Sequence, residues 1–178
     1  ADSPTPSVSN LGPRGLGALA AWLSEGSVPV IAHDAPLTEL PPDAGVVVVA
    51  APAAAEIRDE EVQALKAFVE AGGTLVYLVP RGAHQSALNS WLKVWPGPVA
   101  PLTKEEGLED VGGSTVNVTF AGGLLWGARQ LRLSADRTLS VQDERALAVT
   151  SHGAVWWLPS GRGEIWLSAG ADLAQNAR

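Results

Sequence analysis

The sequence predicts a single α/β domain over residues 1–178, with a mostly parallel central sheet flanked by helices and an antiparallel C-terminal extension. Three observations predict it. Val46-Val47-Val48-Val49 and Thr74 to Val79 are continuous apolar runs, as expected of strands buried on both faces of a parallel sheet. Between them, Val62, Leu65, Phe68 and Val69 recur at helical spacing, so strand, helix and strand alternate. Near the C-terminus, short apolar segments are separated by Ser151-His152-Gly153 and Pro159-Ser160-Gly161, the punctuation of antiparallel hairpins.

The elements follow in order. Asp2 to Ser9 is rich in Pro and Ser and reads as a linker or short opening strand. Pro13 opens a helix over about 14–25 carrying Leu16, Leu19, Ala20 and Leu23 on one face, and Gly26 is expected to end it in the left-handed conformation. Val28 to Ile31 is expected as a strand of the central sheet, with Val46–Ala50 in its interior. Asp59-Glu60-Glu61 places three carboxylates at the positive end of the helix over 59–71, and Gly72-Gly73 stop it. Gly82 to Trp95 is read as a helix presenting Leu88, Trp91, Leu92 and Trp95, ended by Pro96 to Pro101. Thr115 to Phe120 and Arg129 to Ser134 read as strands within an otherwise ambiguous stretch. Leu147–Thr150, Ala154–Leu158 and Glu164–Ser168 complete the set, the last also joining the central sheet. Asp172 to Asn176 starts a further helical turn.

Composition narrows the function. The chain has 178 residues, enough to bury about 70% of its unfolded surface without staples. Its net charge of −7, with Lys and Arg scattered, argues against a nucleic-acid groove and against anionic lipid headgroups. Zero Cys removes thiol nucleophiles, disulfides and thiolate metal sites. No stretch approaches the roughly 18–20 apolar residues that span a bilayer. Ala1 is not a start methionine and the chain stops at Arg178 just after a helical turn begins, so either a removed leader or a cut N-terminus is expected, together with a continuation, and any membrane segment lies outside these residues.

Several segments carry a resemblance. They are Ser7 to Gly15 leading into an amphipathic helix, Val46 to Pro52, Glu60 to Val76 through Gly72-Gly73, and Gly161-Arg162-Gly163-Glu164-Ile165-Trp166-Leu167-Ser168, ending with Asp172 and Asn176. Together they resemble a bacterial domain of unknown function related in fold to class I glutamine amidotransferases, and often encoded beside MoxR-type ATPases. The resemblance implies a flavodoxin-like, amidotransferase-like sheet. It also implies a membrane-anchored protein whose domain faces away from the cytoplasm, with partners in the cell envelope.

Catalytic constellations are sparse. An amidotransferase of that class needs a Cys nucleophile with a His and an acid, and there is no Cys. Gly-x-Ser-x-Gly does not occur, and Ser86, close to His84, is expected inside a helix. His33, His84 and His152 lie far apart in sequence, so a zinc site is not expected, and His33-Asp34 reads as a polar pair after a strand. Glu105-Glu106 and Glu109-Asp110 lack calcium-loop spacing, and Gly12 to Gly17 lacks the Lys-Ser/Thr of a phosphate loop. No cofactor or metal is expected.

Seven Trp stand against one Tyr and two Phe. Trp22, Trp91 and Trp95 fit core positions, while the adjacent Trp156 and Trp157 must point to opposite faces of a strand. If there is a site, it should lie beyond the carboxyl ends of the strands, where Asn10, Arg14, Asp34, Arg81, His84 and Asp172 would converge. Two Arg there could hold a carboxylate or phosphate; Asp34 and Asp172 could instead neutralise them as a salt-bridge cluster. The expected function is a non-catalytic sensing or protein-interaction domain. An envelope hydrolase using His and carboxylate, or a carbohydrate-binding module marked by an exposed Trp row, are the alternatives.

Overall fold

The structure, a computed structural model, describes residues 16–33, 35–50, 57–79, 86–99, 114–117, 130–133, 137–150 and 153–169. Its elements are α1 (Gly17–Glu25), β1 (Val46–Ala50), α2 (Asp59–Glu70), β2 (Thr74–Leu78), α3 (Ala87–Leu92), β3 (Val94–Val99), β4 (Ser114–Asn117), β5 (Gln130–Leu133), β6 (Arg137–Val141), β7 (Leu147–Ala148), β8 (Val155–Ser160) and β9 (Gly163–Ser168). Among the described residues the main sheet has five strands in the order β1-β2-β9-β8-β7. β1, β2 and β9 run parallel, while β8 and β7 add antiparallel strands beyond β9. Separate antiparallel pairs join β3 to β6 and β4 to β5.

α2 forms where expected and for the expected reasons. Val62, Leu65 and Val69 make its buried stripe, and the carboxylates of its first turn favour the helix N-terminus. Its end is a Schellman motif: Gly73 N–H donates to the Phe68 carbonyl and Gly72 N–H to the Val69 carbonyl, with Gly72 at a φ of 118°. The helix packs on β2 and β9, whose Leu75, Tyr77, Ile165 and Leu167 are all buried. Register puts these four on one face of the sheet. The opposite face carries Val46, Val48, Val76, Trp166, Trp157 and Leu147.

Four expectations are corrected. Val28–Ile31 is not a strand: Val28 is 48% and Ile31 67% exposed, Pro29 has no N–H to give a ladder, and no strand partner is found among the described residues. Among the described residues β1 is not interior but is the outermost strand of the sheet, with Val46 53% and Val48 44% exposed. A valine run reports apolar surroundings, not how many neighbouring strands supply them. α1 ends with Ser27, not Gly26, in the left-handed region (φ 63°), and Val28 N–H closes the turn onto the Leu23 carbonyl. That conformation costs a non-glycine residue about 1 kcal/mol.

Finally, the helix read through Trp95 stops at Leu92. Lys93 takes a left-handed cap (φ 49°) and the chain becomes β3, despite Pro96 and Pro98. A two-stranded pair tolerates those prolines because one side of β3 needs no ladder donor, and the register shifts between Pro96 and Val99. Leu88 and Leu92 hold their expected core places, Trp91 is partly buried, and Trp95 is 39% exposed. β6 was not anticipated; Leu139 is its buried anchor. Residues 1–15, 100–113, 118–129 and 170–178 lie outside the described residues, as do His152 and the side chain of Trp22, so the expectations placed on them are not addressed.

Candidate functional site

Because β1, β2 and β9 are parallel, Ala50, Leu78 and Ser168 emerge at one edge, where ligands bind in open α/β sheets. All six residues expected to converge there, Asn10, Arg14, Asp34, Arg81, His84 and Asp172, lie outside the described residues. What is described is a buried polar knot beside that edge. Tyr77, on β2, donates its hydroxyl to Asn89 Oδ1 of α3 at 2.9 Å. Ser86, rather than lying inside the helix, is the N-cap of α3, and its Oγ accepts the Asn89 backbone N–H at 3.0 Å. Burial pushes the Tyr77 hydroxyl up to about 12, only partly offset by a hydrogen bond with Ser86. These contacts fix α3 on the sheet.

The remaining candidates resolve locally. His33 places Nε2 3.2 Å from the Pro36 carbonyl, a turn contact. Among the described residues no group of three or more His, Cys, Asp or Glu could hold a metal ion. The acidic run at the start of α2 divides its labour. Glu60 pairs with Arg58 at the surface, whereas Glu61 accepts N–H groups from both Arg58 and Leu37 at 3.0 Å. Those two backbone donors, Arg58 first, hold the Glu61 carboxyl below its ordinary value. Glu61 thus ties the 3-10 turn at Leu37–Glu39 to α2.

Two further arrangements escaped sequence reasoning. On the face opposite α2, Trp157 Nε1 donates to Glu164 Oε2 at 2.8 Å and Trp166 Nε1 to Glu164 Oε1 at 3.1 Å. Trp157 and Trp166 are directly paired across β8 and β9, and the expected opposition of Trp156 and Trp157 is observed. The alternation of Glu164 and Trp166 on one strand face was the available signal. The second arrangement joins the two glycine motifs. The Gly161-Arg162 turn sits on the C-terminal end of α2: Arg162 N–H donates to the Glu70 carbonyl at 3.2 Å and Arg162 Nη2 to the Ala71 carbonyl at 2.8 Å. Gly163 lies so close that a Cβ there would overlap the Gly73 and Val69 carbonyl oxygens. Gly-Gly and Gly-Arg-Gly therefore form one structural joint, and Gly161-Arg162-Gly163 is not a phosphate loop.

The fold has solved counterparts. The chain is similar to the mmIFT52 N-terminal domain, with a TM-score of 0.64 at 15% identity, covering 90% of this chain and 81% of that one. It is also similar to cytoplasmic protein STM1381 from Salmonella typhimurium LT2, with a TM-score of 0.55 at 13% identity, covering 88% and 76%. A β-galactosidase from Rahnella sp. R3 matches only at a TM-score of 0.37 and 18% identity, over 70% of this chain and 18% of that enzyme, a likeness too slight to argue from. At these identities the likenesses establish fold alone. No curated protein matches the sequence. The profile of a domain of unknown function, DUF4350, matches residues 8–178, and the chain belongs to that family.

Proposed function

We propose that this domain is a non-catalytic sensing or protein-interaction module of a membrane-anchored protein, facing away from the cytoplasm, in a fold related to class I glutamine amidotransferases. Its partners would be proteins of the cell envelope, linked to a MoxR-type ATPase system. The observation that carries the reading is the absence of any Cys from all 178 residues, which removes the nucleophile that such a fold would use. One finding supports it: the Ser86 hydroxyl caps α3. Among the described residues no helix is long and apolar enough to cross a membrane, so the anchor in this reading lies elsewhere.

The test has two arms. The purified chain should show neither glutaminase nor general esterase turnover; turnover lost on Ser86→Ala or His84→Ala would refute the non-catalytic reading. The full-length protein, isolated from membranes, should retain specific partners, and a reporter fused to the domain should work only outside the cytoplasm. A reporter active only in the cytoplasm would refute the placement.

A further inference from the structure

Glu61 is a two-sided acceptor. Its Oε1 accepts the Leu37 N–H at 3.0 Å, across 24 residues of sequence, and its Oε2 accepts the Arg58 N–H at 3.0 Å. The Arg58 guanidinium adds a longer contact to Oε2, with Nε at 3.4 Å. The Glu61 side chain is 12% exposed, whereas that of Arg58 is 59% exposed. One oxygen therefore belongs to the start of α2. The other belongs to the 3-10 turn Leu37–Glu39, which Glu39 N–H closes on the Pro36 carbonyl. Only an ionised carboxylate serves both donors, because a carboxylic acid keeps one good acceptor oxygen and turns the other into a donor. Since β1 and β2 are parallel, α2 starts beyond the carboxyl end of β1, so this junction lies toward the edge where open α/β sheets carry their sites.

The two oxygens differ in their hold on a proton. Oε2 faces a backbone N–H and a guanidinium, both of which favour the ionised form, while Oε1 faces one neutral N–H. The proton therefore enters on Oε1, where it meets the Leu37 N–H, donor against donor. The helix keeps its acceptor and the turn loses its own. The neighbouring charges are Arg58, paired with Glu60 at 2.8 Å, then Asp59 in the same helical turn and the exposed Glu39 on the 3-10 turn. His33 Nε2 meets the Pro36 carbonyl just before that turn. Of the elements packed on α2, α3 carries no charged residue and β2 presents the buried Tyr77, while Glu164 of β9 points to the opposite face. Asp34 and Glu56 lie outside the described residues.

We propose that Glu61 is an acid-operated latch: protonation of Oε1 frees the Leu37 N–H and lets the 3-10 turn lift from α2, while Oε2 keeps the helix start closed. The latch rests on the sensing reading above and names its signal as acid. Leu37 and Leu40 pack partly buried against the core, so lifting the turn converts a proton signal into exposed apolar surface that a partner can read. The direction follows from the carboxyl itself. Its two backbone donors, Arg58 first, hold it below its ordinary value, so docking is complete at neutral pH and is lost as the pH falls through that lowered value. A face open to the surroundings, rather than one bathed in buffered cytoplasm, is the one that meets such acid.

The test follows backbone amide resonances of the 178-residue chain from about pH 7 down to about pH 2. The Leu37 amide should leave its hydrogen-bonded position with a midpoint below the ordinary carboxylate range, and the Arg58 amide should move less. Leu65 and Val69, buried on the same helix, should stay protected through that midpoint. Glu61→Gln puts an amide donor in place of one oxygen, so it holds the latch in its protonated form at every pH. At about pH 6 its Leu37 amide should exchange ~10-fold or more faster than the parent's, with Leu65 and Val69 unchanged. Asp143→Asn removes a second lowered carboxylate and should leave the Leu37 profile where it was. Four outcomes overturn the latch: a Leu37 amide that does not titrate, Arg58 released in its place, Leu65 and Val69 losing protection together with Leu37, or unchanged Leu37 exchange in Glu61→Gln. If any of these occurs while the full-length protein still retains partners at neutral pH, the acid signal is excluded and the interaction reading survives. A reporter active only in the cytoplasm would remove the placement, and the acid signal with it, even where Leu37 titrates as expected.

Discussion

Replacing Gly163 with Ala should be among the most damaging single-methyl additions to this chain. The new Cβ would overlap two backbone oxygens, those of Gly73 and Val69, and backbone cannot swing aside as a long side chain can. Relief requires the start of β9 to lift away from the end of α2. Overpacking of this kind costs about 1–3 kcal/mol. Lifting β9 also strains the Arg162 N–H bond to Glu70, the Glu164 N–H bond to Gly73 and the Arg162 side-chain bond to Ala71, each a net contribution of about 1 kcal/mol. A total of about 4–6 kcal/mol follows if all three bonds are lost, or about 10–20 °C in Tm for a domain of this size. Urea and thermal melts followed by circular dichroism would measure it. Gly45→Ala is the control, because nothing lies within 4 Å of its added Cβ, and it should change stability by less than about 1 kcal/mol. A Gly163→Ala melt within about 2 °C of the parent would refute the joint between the two glycine motifs.

Three other outcomes are expected. Tyr77 is the only tyrosine, so phenolate absorbance reports it alone: the folded chain should show little rise near pH 10, and stability should fall between about pH 10 and 12 because the unfolded chain ionises first. At the acid end, Arg145 hydrogen-bonds the Asp143 carboxylate and lowers it to about 2, and Glu61 is also lowered; their contribution is present above about pH 4 and lost as pH falls toward 2. Asp143→Asn should remove about 0.5–1 kcal/mol at neutral pH, because the pair is solvent-screened, and flatten that acid limb in melts taken from pH 2 to 5. Glu164→Ala strips the acceptor from both indoles and should cost about 1–3 kcal/mol with a shift in tryptophan emission, whereas unchanged emission would argue against the shared carboxylate.

The sequence by itself determined the α2–Gly-Gly–β2 unit, because helical period, acidic first turn, glycine stop and apolar run all agree locally. It also determined the C-terminal hairpin and the absence of cysteine chemistry. Tertiary structure decided what depends on partners distant in the chain. Whether Val46–Ala50 is central or at an edge depends on which segments reach it, which a valine run does not encode. Val28–Ile31 has strand-like residues but lacks a ladder partner among the described residues, and Val94–Val99 became a strand only because Arg137–Val141 pairs with it across forty residues of sequence. The Trp157–Glu164–Trp166 cluster and the seat of Gly163 on α2 are likewise contacts between segments, and no local pattern specifies them. The physical reason is range: propensity and periodicity act within a few residues, while strand neighbours and close backbone approaches are settled only when the whole chain packs.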